Sequence, residues 1–223
     1  MSELRFSVSK RMQEEFSRLS GDFNPIHLDQ EYAYNSLFGQ KIGYGILILL
    51  FPISLAGELC QFRHANISSL DITFSKPALL DVPIVMRLRD NNNAMQKIDK
   101  TQKFFISLFQ NNLLLMKGVL TIKDRDSRDT GKSLFADECY SATKPDEQVS
   151  HYNSIKGNFV PKFSPELAIK LFGNKLLSTF GEKQIVDILS LSKIVGMHSP
   201  GQNSIFSAIC LNSVKPKSDT CTT

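Results

Sequence analysis

The sequence predicts an α+β protein in which an antiparallel sheet wraps around a single central helix. Three observations lead there. Residues 45–58 read as a helix that is apolar on every side, so it has to be buried all round. Residues 65–123 then carry four strand-like segments separated by turn signals. Helices come first and the strands follow as a meander, so the economical way to bury both is to fold the meander over the apolar helix.

Taken in order, residues 10–19 place Met12, Phe16 and Leu19 at i, i+4 and i+7 behind Ser9 as N-cap. This is a short amphipathic helix, and Gly21 stops it. A second short helix starts behind Asp29, whose side chain can cap Glu31 and Tyr32, and runs to about Ser36. The central helix follows from Gly45 to about Glu58. Segments 65–75, 82–90, 100–110 and 113–123 are rich in Ile, Val, Leu and Phe, with breaks at Lys76-Pro77, Asn91-Asn92-Asn93 and Asn111-Asn112. The last segment alternates, with Leu114, Met116, Gly118, Leu120 and Ile122 on one face and Lys117, Thr121 and Lys123 on the other.

Residues 124–150 hold seven acidic and four basic residues and few large apolar ones, as a solvated linker does. Apolar periodicity returns at Leu167, Ile169, Leu171 and Phe172, then in a helix through Ile185, Ile188, Leu189, Leu191 and Val195, then in a strand over residues 204–211. The expected division is therefore a domain at 1–124, a linker at 125–153 and a smaller unit at 154–223. An offset of 139 residues pairs Leu55 with Ile194, Gly57 with Gly196, Leu70 with Ile209 and Ile72 with Leu211. That order, apolar helix, polar turn and strand, marks the second unit as a partial repeat of the first. It lacks counterparts of residues 75–123, so its strand needs cover, and a homodimer with residues 204–211 at or near the contact is expected.

Composition excludes several classes. An apolar fraction of 42% in 223 residues is ordinary for a globular chain, which leaves no room for a collagen-like, coiled-coil or low-complexity protein. The charge of +4, with no run of five like charges, argues against a dedicated nucleic-acid binder. Cys60, Cys139, Cys210 and Cys221 form no CxxC or Cys/His cluster, so no metal is expected and the thiols read as reduced. The first residues, Met1-Ser-Glu-Leu-Arg-Phe6, lack the features of a signal peptide, and a cytoplasmic protein is expected. The apolar stretch 42–56 is shorter than the ~20 residues of a membrane span and contains Pro52. Gly131-Lys-Ser133 is no phosphate loop, because Asp126 stands where a Walker A motif needs glycine. His64, His151 and His198 have no partners at metal-ligand spacing, and Phe104, Phe105 and Phe109 read as core or pocket wall without basic residues between them.

The chemistry concentrates in residues 19–29, Leu-Ser-Gly-Asp-Phe-Asn-Pro-Ile-His-Leu-Asp. Asp22 and His27 are five apart, which is neither i+3 nor i+4, and Pro25 disfavours the helical region for Asn24. The segment is expected to be a bent loop that swings His27 back toward Asp22. A carboxylate and an imidazole in one small volume suit a reaction that takes a proton from water and returns one to carbon. An Asx-turn with a helix-capping Asp and a structural His fits the same residues. Gly43 and Gly45 lie at the start of the apolar helix, where free N–H groups and the positive end of the helix dipole can hold a developing oxyanion, or where glycine merely allows a tight turn into the helix.

Together, Ser20-Gly-Asp-Phe-Asn-Pro-Ile-His27, Phe38-Gly39, Ile42-x-x-Gly-Ile46 and Ile67-x-x-Leu-x-Ile-x-Phe74 followed by Pro77 resemble the MaoC-like branch of the hot-dog fold, the (R)-specific enoyl-CoA hydratases. The resemblance covers roughly residues 6–124 and implies a hot-dog catalytic domain with an incomplete second hot-dog-like unit behind it. It implies syn hydration of a trans-2-enoyl thioester to the (R)-3-hydroxyacyl thioester, or the reverse, with the acyl group carried on coenzyme A or an acyl carrier protein and no metal or redox cofactor. Asp22 and His27 would then hold and activate the water, Asn24 would support the loop, the Gly45 N–H would be the oxyanion donor, and Phe38, Gly43 and Tyr44 would line the substrate site. Family members commonly have His where this chain has Tyr44, a change that bears on the acyl pocket. A catalytically silent acyl-thioester-binding subunit and a hot-dog thioesterase are the alternatives, and the GDxNPxH loop argues against the latter.

Overall fold

The computed structural model describes residues 1–91, 100–125, 161–198, 200–202 and 204–212. The linker from residue 126 on, the expected start of the second unit at 154, Gly131-Lys-Ser133, Cys139, His151 and Cys221 lie outside the described residues.

The chain runs β1 (Ser2–Phe6), α1 (Lys10–Ser20), α2 (Pro25–Leu28), α3 (Gln30–Tyr34), α4 (Gly45–Leu59), β2 (Ala65–Phe74), β3 (Ile84–Asp90), β4 (Thr101–Gln110) and β5 (Leu113–Asp124). Then come α5 (Pro165–Phe172), α6 (Asn174–Phe180), α7 (Glu182–Lys193), a π-helical turn (Ile194–His198) and β6 (Ala208–Asn212). Ser9 caps α1 by accepting from the Met12 N–H, and Gly21 ends it in the left-handed conformation at φ 71°. Asp29 caps α3 at the Tyr32 N–H as expected. Three short elements, β1, α2 and α6, were not expected. Five residues are too few to show a period, and one capped turn is too short to show a helical face.

Six antiparallel strands in the order β1-β3-β4-β5-β2-β6 curl around α4, whose Ile46, Leu49, Leu50, Ile53 and Ala56 are fully buried. This is the α+β hot-dog arrangement. The β4–β5 hairpin turns on Asn111 and Asn112, both at positive φ, as a two-residue turn matched to strand twist requires. A register shift at Leu108/Phe109 leaves Leu115 as an extra residue, so Leu115 and Met116 are both buried and Leu114 is only half-buried, against the simple alternation expected. Phe104 is core, but Phe105 and Phe109 face outward under Arg89 and Arg87 at 4.8 and 5.2 Å. Basic residues therefore do meet these rings. They reach them from the neighbouring strand β3, a pairing that spacing within one strand cannot reveal.

Residues 165–212 are taken up on the first sheet. Helices α5, α6 and α7 pack against α4, with Ser54 donating to the Phe172 carbonyl (2.6 Å) and Thr179 to the Gly57 carbonyl (3.3 Å). Glu15 on α1 pairs with Lys170 on α5. Strand β6 pairs with β2. The ladder is symmetric about Asp71 opposite Cys210, residues 139 positions apart, and Ser69 faces Asn212 as Thr73 faces Ala208. The separation at the middle pair is the offset read from the sequence. The order short helix, short helix, long helix, strand recurs in α2-α3-α4-β2 and α5-α6-α7-β6.

Candidate active site

The site begins where α1 ends. After Gly21, Asp22 Oδ1 accepts the Asn24 N–H (3.0 Å), and Asn24 Oδ1 accepts the Ile26 N–H (3.3 Å) to cap α2. Pro25, whose ring pre-sets the helical φ, is the first residue of that turn and His27 its third. The segment bends over residues 21–24 as expected, but from Pro25 to Leu28 it is a capped helical turn where a loop was expected. Asn24 supports it in a second way, with Nδ2 reaching the Ser204 carbonyl at 3.5 Å.

His27 is 6% exposed, and its Nδ1 lies 2.9 Å from the Ile42 carbonyl. A carbonyl can only accept, so Nδ1 carries the hydrogen and Nε2 keeps a lone pair. Burial depresses the imidazole pKa to about 4, partly offset by the Ile42 bond, so the ring is neutral at physiological pH. Asp22 is 2% exposed; its Oδ2 accepts from Ser192 Oγ at 2.7 Å. Burial raises its pKa, and the Ser192 and Asn24 donors pull it back.

Tyr44 links the two. Its hydroxyl donates to the Asp22 backbone carbonyl (2.8 Å) and its ring centroid lies 3.9 Å from that of His27. Burial, and then the Asp22 charge, raise the phenol pKa, which keeps it a neutral donor. Tyr44 is also the residue before α4, which has no side-chain cap. The Gly45 N–H opens the helix with no partner among the described residues, as expected of a first-turn donor. A side chain there would meet the Phe74 ring at 3.1 Å. The Gly43 N–H is not free, because it donates to the Ala78 carbonyl (2.8 Å), so of the two glycines Gly45 alone offers its amide.

Asp22, His27, Gly43, Tyr44 and Gly45 line one cavity of about 180 Å³. Phe38, expected there, stands half-buried in the turn after α3 and is not among the lining residues. The second half of the chain supplies what residue spacing missed: Ser192, Val195 and Gly196 from α7 and the π-helical turn, and Ser204 to Ser207 from the segment before β6. A Cβ on Gly196 would collide with the Asp22 carboxylate, so glycine is required there. The one sequence signal for this was the match of Gly196 with Gly57 in the repeat. Gln13 was missed as well, although its side chain bonds the backbone beside His27, Ile42 and Tyr44. Among the described residues no group of three His, Cys, Asp or Glu could hold a metal ion, and no helix is long and apolar enough to cross a membrane.

Residues 2–107 match the family model of the MaoC-like domain. Among solved structures, the chain is similar to the (R)-hydratase from A. caviae involved in PHA biosynthesis at 21% identity, covering 56% of this chain and 93% of that one, with a TM-score of 0.49. It is similar to R-hydratase PhaJ1 from Pseudomonas aeruginosa at 20% identity, over 56% and 80% of the two chains, with a TM-score of 0.49. It is also similar to a chain of the ChsH1-ChsH2 complex from Mycobacterium tuberculosis at 12% identity, over 56% and 94%, with a TM-score of 0.47. No curated protein matches the sequence.

Proposed function

We propose, from the match of residues 2–107 to the MaoC-like domain model, that this chain hydrates a trans-2-enoyl thioester to the (R)-3-hydroxyacyl thioester, or runs the reverse dehydration. The observation that carries the reading is one cavity bringing together the Asp22 carboxylate, the His27 imidazole with Nδ1 tied to Ile42, and the Gly45 N–H at the head of α4, which has no partner among the described residues. In this scheme water sits against Asp22 and His27. As its oxygen adds to C3, a proton passes from the water to His27 Nε2, and the imidazolium so formed returns that proton to C2 on the same face. Water is thereby added across C2=C3 with no net change in the protein. The thioester oxygen carries the enolate charge between these events, and the Gly45 N–H with the helix dipole behind it stabilises that charge. The reaction so written needs no metal or redox cofactor.

The proposal includes an acyl group carried on coenzyme A or an acyl carrier protein, a cytoplasmic location and a homodimer joined through the outer edge of β6. The cavity exceeds the ~150 Å³ that holds a benzene molecule in an engineered core, so a four-carbon enoyl group is a suitable first substrate. With crotonyl-CoA, loss of the enoyl-thioester absorbance without release of free thiol is the expected result. Free thiol would make the protein a thioesterase. A catalytically silent acyl-thioester-binding subunit is the second reading, favoured by how closely Gly196 covers Asp22; binding of crotonyl-CoA with unchanged absorbance would establish it.

A further inference from the structure

We propose that Gln13 is a positioning residue that holds the general base, its orienting carbonyl and the oxyanion donor in register through a single side-chain amide. The proposal rests on the hydratase reading above. Gln13 lies in α1, is 1% exposed and does not line the cavity. Its Nε2 donates to the His27 carbonyl at 3.0 Å and to the Ile42 carbonyl at 2.9 Å, and its Oε1 accepts the Tyr44 N–H at 3.1 Å. The amide orientation is settled by these partners, since two carbonyls require the nitrogen and an N–H requires the oxygen.

The three backbone groups lie in the three segments that carry the chemistry. The first belongs to His27 itself. The second, the Ile42 carbonyl, also accepts His27 Nδ1–H and so decides which ring nitrogen keeps its lone pair. The third immediately precedes the Gly45 N–H. These segments are 14 to 31 residues from Gln13 in sequence. Within this network, one buried amide from α1 ties all three segments together. A site held this way fixes the distance from Nε2 to the oxyanion donor, and an error of about 1 Å in such a distance can cost ~10²-fold in rate. Gln13 touches neither water nor substrate; its effect passes through His27 and Gly45.

The test uses the full chain labelled with ¹⁵N. Long-range proton–nitrogen correlation spectra report the tautomer of each histidine, and His27→Gln assigns the His27 signals. The wild type is expected to show hydrogen on Nδ1 of His27 at neutral pH. Gln13→Leu removes both donors and the acceptor, so it should give a mixture of tautomers. Turnover of crotonyl-CoA should fall by ~10- to 10²-fold with KM changed less than about threefold, because the substrate's own contacts remain. Gln13→Glu keeps the length and can accept from Tyr44 but cannot donate to two carbonyls as a carboxylate, so it should disturb the tautomer too. A folded Gln13→Leu protein with the wild-type tautomer and turnover overturns the proposal. If circular dichroism shows that Gln13→Leu does not fold, Gln13→Glu decides by the same criteria. If neither folds, Gln13 holds the fold and the positioning role is rejected. A wild-type chain that lacks hydratase activity overturns the functional reading instead, while the tautomer spectra still decide the role of Gln13.

Discussion

In the first half of the chain Asn24 caps a helical turn that opens on Pro25; in the second half Ser164 caps a helix that opens on Pro165. The local plan is the same: a side-chain oxygen takes a free N–H and the proline ring pre-sets the first helical φ. Two residues after the proline, the first half has His27 and the second Leu167; two residues before the cap, the first has Asp22 and the second Lys162. The capped turn is thus a device for building the fold, and the chemistry is two side chains placed on it. The second half retains the device without the chemistry, and its long helix and the π-helical turn after it lend Ser192 and Gly196 to the other half's carboxylate.

The largest effects should come from removing that pair. Asp22→Asn and His27→Ala are each expected to lower turnover by at least ~10²-fold with folding intact, since a positioned acid or base contributes ~10²–10⁴. Wild-type rates in either purified variant would erase the distinction between the halves. The imidazole also predicts a pH dependence. A histidine whose pKa is about 4 when folded binds fewer protons than the unfolded chain does, so stability rises with pH from about 4 to its ordinary value near 6.5 and is lost as pH falls through that window. The size of the effect is about 3 kcal/mol. Thermal melts of His27→Ala across this range should show the slope flattened.

The comparison also explains what could be read from the sequence. The apolar helix, the strand meander and the GDxNPxH turn are local in the chain, and their periods and spacings are visible in it. The 139-residue offset was legible for the same reason, and it is also the separation of Asp71 and Cys210, the middle pair of the β2–β6 ladder. Contacts between segments were not visible. Nothing in the spacing of residues 182–198 says that Ser192 lies against Asp22, or that Arg87 and Arg89 lie over rings of β4. Gln13 reads as one more polar residue of an amphipathic helix, although its side chain is buried. Gly43 and Gly45 look equivalent in sequence, and only the Ala78 carbonyl separates them.

Gly45 distinguishes the halves at the head of the long helix, because its counterpart 139 residues on is Gln184, which bonds the Ile67 N–H and Asn66 and is not among the residues lining the cavity at Asp22. Gly45→Pro deletes the N–H at a position where a helix tolerates proline. Loss of one oxyanion donor costs ~10²–10³ in rate. Gly45→Ala keeps the donor and meets the Phe74 ring at 3.1 Å, so it should retain turnover within about tenfold of wild type. Equal losses in both variants, measured with crotonyl-CoA, would make the glycine a packing residue.

Gly196 tests whether the second half is a bystander. A methyl group there collides with the Asp22 carboxylate, and overpacking of this kind costs about 1–3 kcal/mol. A Cβ on Gly57, its counterpart, would meet the Phe180 ring at 3.1 Å and the Lys175 carbonyl at 3.3 Å, tight contacts with no catalytic group in them. Gly196→Ala should therefore lower activity more than Gly57→Ala for the same loss in Tm. Parallel losses of activity and Tm in both variants would mean that the second half acts by stability alone.

The smallest effect, and the most specific, belongs to Ser192. It stands 139 residues after Ile53, so where the first half buries an isoleucine in its core the repeat presents a hydroxyl to Asp22. Burial raises the Asp22 pKa and the Ser192 donor opposes it, so Ser192→Ala should raise it further. The sign follows for both observables. The reaction needs the carboxylate, so the acid limb of the kcat/KM profile should move to higher pH. A carboxyl group whose folded pKa exceeds its unfolded value makes stability fall as pH rises between the two, and Ser192→Ala should extend that window upward. On the alkaline plateau of each profile the residual loss should be about tenfold, the worth of one hydrogen bond to a charged group. An acid limb and a pH–Tm curve that both coincide with wild type would show that the hydroxyl, though 2.7 Å from the carboxylate, leaves its ionisation untouched and that the second half contributes shape without electrostatics.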